Sequence, residues 1–286
     1  MAELVAAIGM THNPFMPTLL ARSERPPGAA SVWQHIELLR EALREARPDA
    51  LLMVGNDHLN QFFMDNMPAF LIGKMARYVG TFPNEEREFG IPTCAVAGDA
   101  ELARHLLEGG LGCGVDFAYS DELRLDHSIV VPLLFLRPEL DLPIVPVLTN
   151  CIAPPLPTAR RFHQVGQALR AAIELAPIAR RVVLVASGHL SLEVGGPRQF
   201  EAQPVDPEFD SRAADWIRRG DVAAASEACT YAEMRSSGNM THGFLNFLLA
   251  MGAAERLCLA HAEAVRAGFP SVPVFSWSAG RTGENA

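Results

Sequence analysis

Nine histidines are spread through the 286 residues, and four of them fall where an α/β chain places its chemistry. His12 follows the apolar run Leu4–Met10, His58 follows Ala50–Val54, and His189 follows Arg181–Ala186. Each run reads as a buried strand, and open α/β sheets bind ligands at the carboxyl ends of their strands. His127 stands in Leu125-Asp126-His127-Ser128, at the boundary of a further apolar run, Ile129–Leu136. A single loop histidine is most often just a polar surface residue; His12 and His58 together point to more. Neutral imidazole is a common ligand for borderline divalent metals, and two of them with a carboxylate make the open facial site of non-haem iron(II). Asp57, beside His58, either orients a ligand or closes an Asx turn in Asn56-Asp57, and both readings stand. His35, His105, His163 and His261 fall on expected helices among charged neighbours and read as solvated.

Such groups need a scaffold, and the hydrophobic pattern supplies one. Ile36, Leu39 and Leu43 recur at helical spacing within 32–46, and Pro48-Asp49 ends that helix before the next strand. Strand, loop, helix, strand in that order suggests a βαβ unit whose sheet is covered on both sides. The same grammar returns with helices over 99–108 and 161–175 and strands over 144–148 and 181–186. Polar helical stretches follow over 206–218 and 221–228, then a turn at Ser236–Asn239 and an apolar helix over 241–254; from Gly280 onward the chain reads as frayed. Pro154 to Pro157 is a stiff connector too short to separate domains. The expectation is a single α/β domain over 1–286, with a central, mostly parallel or mixed sheet flanked by helices. All four histidines, standing at strand boundaries, should meet around one cleft.

Composition removes several classes of function. The net charge is −9 and no basic block appears, whereas a nucleic-acid partner needs clustered Lys and Arg. The cysteines (94, 113, 151, 229 and 258) are widely spaced without a CxxC pair, which indicates neither a disulfide frame nor a thiolate zinc site. Apolar runs stop short of the ~18 residues that read as a membrane helix, and no basic-then-apolar leader is visible. A cytoplasmic protein with no membrane partner is expected.

In four patches the chain resembles a known family. Thr11-His12-Asn13-Pro14, Gly55-Asn56-Asp57-His58, Leu125-Asp126-His127-Ser128, and Ser237-Gly238-Asn239 with Met251-Gly252-Ala253 are similar to class III extradiol ring-cleavage dioxygenases of the protocatechuate 4,5-dioxygenase catalytic-subunit type. The resemblance implies Fe(2+), O2 and a small catechol-type aromatic whose ring opens beside the diol. His12 and His58 match the two histidine ligands of the metal, and His127 matches a histidine near substrate or oxygen. It also implies an assembly, either a homo-oligomer or a complex with a small second subunit.

Two residues depart from the family pattern. Its glutamate ligand falls on Gly243, which has no side chain, and its catalytic base falls on Leu192. His189, three residues earlier, serves as the base only if its loop takes another path. His242 is the candidate left for the third ligand, although a neighbouring helix position points about 100° away; Glu193 and Glu233 read as solvated. An iron-dependent oxygenase is the leading expectation. The alternatives are a metal-dependent hydrolase or decarboxylase on the same scaffold, and a catalytically degenerate partner subunit of a heteromeric dioxygenase. A carboxylated catechol would need an arginine partner, and a chain whose only lysine is Lys74 among 24 basic residues has too many arginines to single one out.

Overall fold

The computed structural model describes residues 1–21, 28–199, 201, 203–266 and 270–280. Its strands are β1 (Glu3–Thr11), β2 (Ala50–Gly55), β3 (Phe70–Gly73), β4 (Arg77–Gly80), β5 (Cys94–Ala97), β6 (Ala118–Ser120), β7 (Arg124–Leu125), β8 (Ile144–Thr149), β9 (Arg181–Gly188), β10 (Cys258–Val265) and β11 (Val272–Ser278). Its α-helices are α1 (Met16–Ala21), α2 (Ala29–Ala46), α3 (Pro83–Phe89), α4 (Ala100–Gly112), α5 (His127–Leu136), α6 (Ala159–Leu175), α7 (Pro207–Arg219), α8 (Val222–Ala228), α9 (Tyr231–Ser236) and α10 (Leu245–Ala253), the last entered through a 3-10 turn at Thr241–Phe244.

Eight strands form one mixed sheet in the order β10-β11-β1-β9-β2-β8-β3-β6, and β5-β4-β7 form a small second sheet. The centre is parallel: β1 pairs with β9, β9 with β2, and β2 with β8. The flanks turn antiparallel at β11 and β3. Alternate residues of β9 serve opposite faces, as the period of a strand requires. Val182, Leu184 and Ala186 join a core with α4, α6, α7 and α10; Val183 and Val185 join the other with α2 and α5. Burial on both faces is why these strands read as continuous apolar runs. Among the described residues no helix is long and apolar enough to cross a membrane.

Three expectations need correction. Ile129–Leu136 is the body of α5, so His127, two residues after the short strand β7, opens a helix instead of preceding a strand. A short apolar run does not separate buried strand from buried helix by periodicity; what decides here is Asp126, whose Oδ1 accepts the Ser128 N–H at 2.8 Å as an N-cap. His261 lies on strand β10 rather than on a helix. His163 is buried, 8% exposed, and faces Glu255 across 3.2 Å, because α6 and α10 close over it. The end beyond Gly280 lies outside the described residues.

Candidate active site

Neighbouring parallel strands end on the same edge of a sheet, and here three of them end in histidine. His12 follows β1 directly, His189 follows β9, and His58 stands three residues beyond β2. The register pairs Thr11 with Gly188 and Val54 with Ala186, so the three rings converge. His12 lies with its ring centroid 4.1 Å from His189 and 5.1 Å from His58. One ligand nitrogen from each of the three lies within 4.8 Å of the others.

The fourth histidine arrives from a helix. A Cβ on Gly55 would stand 2.6 Å from Ser128 Oγ, so only glycine lets the first turn of α5 sit on the end of β2. That contact stacks His127 on His58, centroids 4.1 Å apart. His58, Asp126 and His127 thereby form a second group with ligand atoms within 4.8 Å of one another.

Hydrogen bonds assign the faces of the rings. Ser187 Oγ donates to the Ser128 carbonyl at 2.6 Å, which leaves it to accept from His12 Nδ1. His12 Nε2 is then a bare lone pair, and it is buried without a partner. His58 Nδ1 donates to Asp126 Oδ2 at 2.9 Å, and the same oxygen accepts the His58 N–H at 2.8 Å. His127 repeats this arrangement on Glu85 Oε1, at 2.6 Å from Nδ1 and 3.0 Å from the backbone N–H. His189 Nδ1 lies 3.3 Å from Thr11 Oγ1. An imidazole held through Nδ1 turns Nε2 outward, as a metal ligand or proton acceptor must. Behind the rings, Asn246 of α10 donates to Asn56 Oδ1 and to the Ser187 carbonyl, both at 2.7 Å.

Electrostatics separate the donors. Burial pushes the pKa values of His12 and His189 well below the ordinary imidazole value, and the neighbouring histidines add to it. Burial opposes charge on His58 as well, but the Asp126 carboxylate outweighs it and the pKa is raised. Asp126 answers in kind: burial alone would raise it, yet His58 holds it well below the usual carboxylate range.

The other expected residues fall elsewhere. Asp57 closes the turn, accepting the N–H groups of Asn60, Gln61 and Phe62, and the carboxylate that orients His58 is Asp126. His242 turns away, its Nε2 3.1 Å from the Tyr231 carbonyl and its ring stacked on Tyr231. Gly243 does face the cluster, since a Cβ there would stand 3.0 Å from His189 N and 3.4 Å from its Cδ2. Leu192, 7% exposed, is wall rather than base. Glu193 is held by Arg198 at 2.6 Å, and Glu233 is exposed. Glu85 was missed. Its position behind Pro83 carries a helix-start signal, but nothing local ties it to His127, 42 residues away.

A cavity of about 1000 Å³ opens onto His58, His127 and His189, walled in part by Phe15, Phe89, Leu192 and Met240. Three of the four histidines therefore line a space able to hold a small organic molecule.

Known proteins resemble this chain over most of its length. A 2,3-dihydroxyphenylpropionate/2,3-dihydroxicinnamic acid 1,2-dioxygenase of Burkholderia vietnamiensis is 29% identical over 291 aligned positions, covering 85% of this chain and 86% of its own. One of the same name from Paraburkholderia phymatum is 28% identical, covering 80% and 82%. The crystal structure of an uncharacterized Escherichia coli K12 protein superposes with a TM-score of 0.57 at 16% identity, covering 96% of this chain and 100% of that one, a likeness of fold. The family profile described as "Catalytic LigB subunit of aromatic ring-opening dioxygenase" matches residues 6–281, and the chain belongs to that family of extradiol dioxygenase-like oxidoreductases.

Proposed function

We propose that this protein opens the ring of a catechol-type aromatic with O2, using one divalent metal, Fe(2+), held by His12, His58 and His189. The observation that carries this reading is the convergence of three strand-end imidazoles within 4.8 Å with His12 Nε2 buried and unpartnered. A buried lone pair with nothing to meet is costly in a native protein and calls for an occupant. Burial keeps His12 and His189 neutral, the state in which imidazole can ligate. With Gly243 at the position of the family's glutamate, His189 is the donor within reach. When bound, the metal acts as a Lewis acid that lowers the pKa of a diol oxygen it touches.

The remaining work falls to the protein. His127 Nε2 receives the proton of a diol hydroxyl, while Glu85 on Nδ1 fixes the ring and stabilises the cation that results. Asp126 fixes His58 through one oxygen and caps α5 through the other, so donor and base are referred to a single carboxylate. The apolar walls exclude water from the ring being opened. The reading of this chain as a degenerate partner subunit rests on Gly243 and Leu192, and one experiment separates the two. Protein purified under argon and titrated with Fe(2+) should bind about one equivalent and then consume O2 with a catechol, yielding the absorbance of a ring-opened product. Metal uptake without turnover on any catechol would favour the partner subunit. His189→Ala should lose metal; if it kept metal and lost only turnover, His189 would be the base.

A further inference from the structure

Resting on that function, we propose that the site selects catechols whose ring substituent is uncharged and apolar, about the size of a second aromatic ring, over catechols that carry a carboxylate. The first argument is room. A cavity of about 1000 Å³ is at the upper end for small-molecule sites, so a diol ring seated at the histidines leaves most of it for a substituent. The second is the character of the walls. Phe15 and Phe89 meet edge to face, centroids 5.2 Å apart, and Leu192, Val194 and Met240 also line the space. These surfaces gain by burying hydrocarbon.

The third argument is charge. The ionisable side chains of the lining, the histidines aside, are Glu85, Glu88, Glu193 and Glu201; among the described lining residues there is no lysine or arginine. Arg198, which adjoins the lining through Glu193, is spent on it: Nε and Nη2 lie 2.9 and 2.6 Å from Glu193 Oε2. A substrate carboxylate would enter beside like charge and lose water with only neutral donors such as Asn13 and Gln199 in the described lining and no cation to pair with, which is expensive. The relatives named above are named for substrates with such a carboxylate. An ammonium substituent finds little more. Glu85 holds His127, Glu88 pairs with Arg87 at 2.8 Å and Glu193 with Arg198. Only Glu201, exposed, remains outside these pairs.

The test compares three catechols substituted at the 3-position with phenyl, 2-carboxyethyl or 2-aminoethyl. Dissociation constants are measured by calorimetry on the Fe(2+)-loaded protein under argon, and kcat/KM by oxygen uptake. The phenyl compound should bind at least tenfold tighter than the carboxyethyl compound, with the aminoethyl compound between them. Equal or tighter binding of the carboxyethyl compound, or a clear lead for the aminoethyl compound, overturns the selectivity and leaves the ring-opening function standing. If none of the three binds, the function itself is wrong and the selectivity falls with it. Val194→Arg supplies the cation that the described lining lacks and should tighten carboxyethyl binding several-fold; no change would show that wall charge is not the cause and would also overturn the proposal.

Discussion

At Gly243 the absence of a side chain and the position of His189 are linked. A Cβ at residue 243 would stand 3.0 Å from the backbone N of His189 and 3.4 Å from its Cδ2, so a side chain there crowds His189 and requires it to give by a few tenths of an ångström. This gives a sharp expectation for Gly243→Glu. The sequence alone suggests that restoring the carboxylate tightens metal binding; with His189 occupying the space, the single variant should bind Fe(2+) no tighter than wild type. Gly243→Glu/His189→Ala removes the ring contact and leaves only the contact with the backbone N of residue 189, and it should recover affinity relative to His189→Ala alone, read by titration under argon. A single variant that gains affinity would mean that His189 yields easily and is not a donor. Glu85 offers a second test. Partners that orient a working histidine are worth about 10–100-fold when mutated, so Glu85→Gln should lower kcat by that order with KM nearly unchanged in steady-state assays. An unchanged kcat would remove His127 from proton transfer.

The elements that hold the site differ in how well they could be foreseen, and for physical reasons. β1, β2, β8 and β9 were legible because a parallel strand buried on both faces is a continuous apolar run, and His12, His58 and His189 were legible because they follow such runs. β3 to β7 are two to four residues long, and β11 carries Pro273, which argues against a strand when read locally. Their pairing is decided by partners far away in sequence, and so was the link from Glu85 to His127. Local capping signals fared better. Asp206 closes the start of α7, accepting the N–H groups of Glu208 and Phe209 at 3.1 and 2.9 Å, and it also accepts from Ser237 Oγ at 2.7 Å, tying α7 to the end of α9. Asp206→Ala should cost about 1 kcal/mol of unfolding free energy. Burial alone would raise the Asp206 pKa, but these donors outweigh it and hold the value below the ordinary one. A depressed folded pKa means that the unfolded chain binds the proton first. The ionic contribution is therefore complete above the unfolded value of about 3.9 and fades as pH falls through the folded one. Denaturant titrations of wild type and Asp206→Asn, which keeps a capping oxygen but does not titrate, should differ at pH 7 and converge in acid. A gap independent of pH would show that charge is not what the cap contributes.

For the whole molecule, the three proposed donors come from positions 12, 58 and 189, just beyond the ends of strands made adjacent only by folding. An unfolded chain does not present them together, so metal held there would bind the native state and stabilise it by mass action. At a free metal concentration of 100 times Kd the gain is ~2.7 kcal/mol. In a chain approaching 300 residues each kcal/mol moves the melting temperature by about 2–4 °C, so Fe(2+) under argon should raise it by roughly 5–10 °C. The size of the shift does not say which site binds, because His58 belongs to both histidine groups, one with His12 and His189 and the other with Asp126 and His127. Variants that touch one group at a time decide it. His12→Ala removes a donor from the first group alone, and the shift should vanish. His127→Ala removes a ligand from the second alone, and the shift should persist, since His127 is assigned to proton transfer. Two controls keep the comparison clean. Each variant is scanned without metal to establish its own baseline, because His12 is fully buried and its loss leaves Ser187 without its imidazole partner. His12→Gln, which keeps much of the volume, separates a lost ligand from a loosened fold. A shift that survives His12→Ala and His12→Gln but disappears in His127→Ala would move the metal to the outer group and return His12 to a structural role.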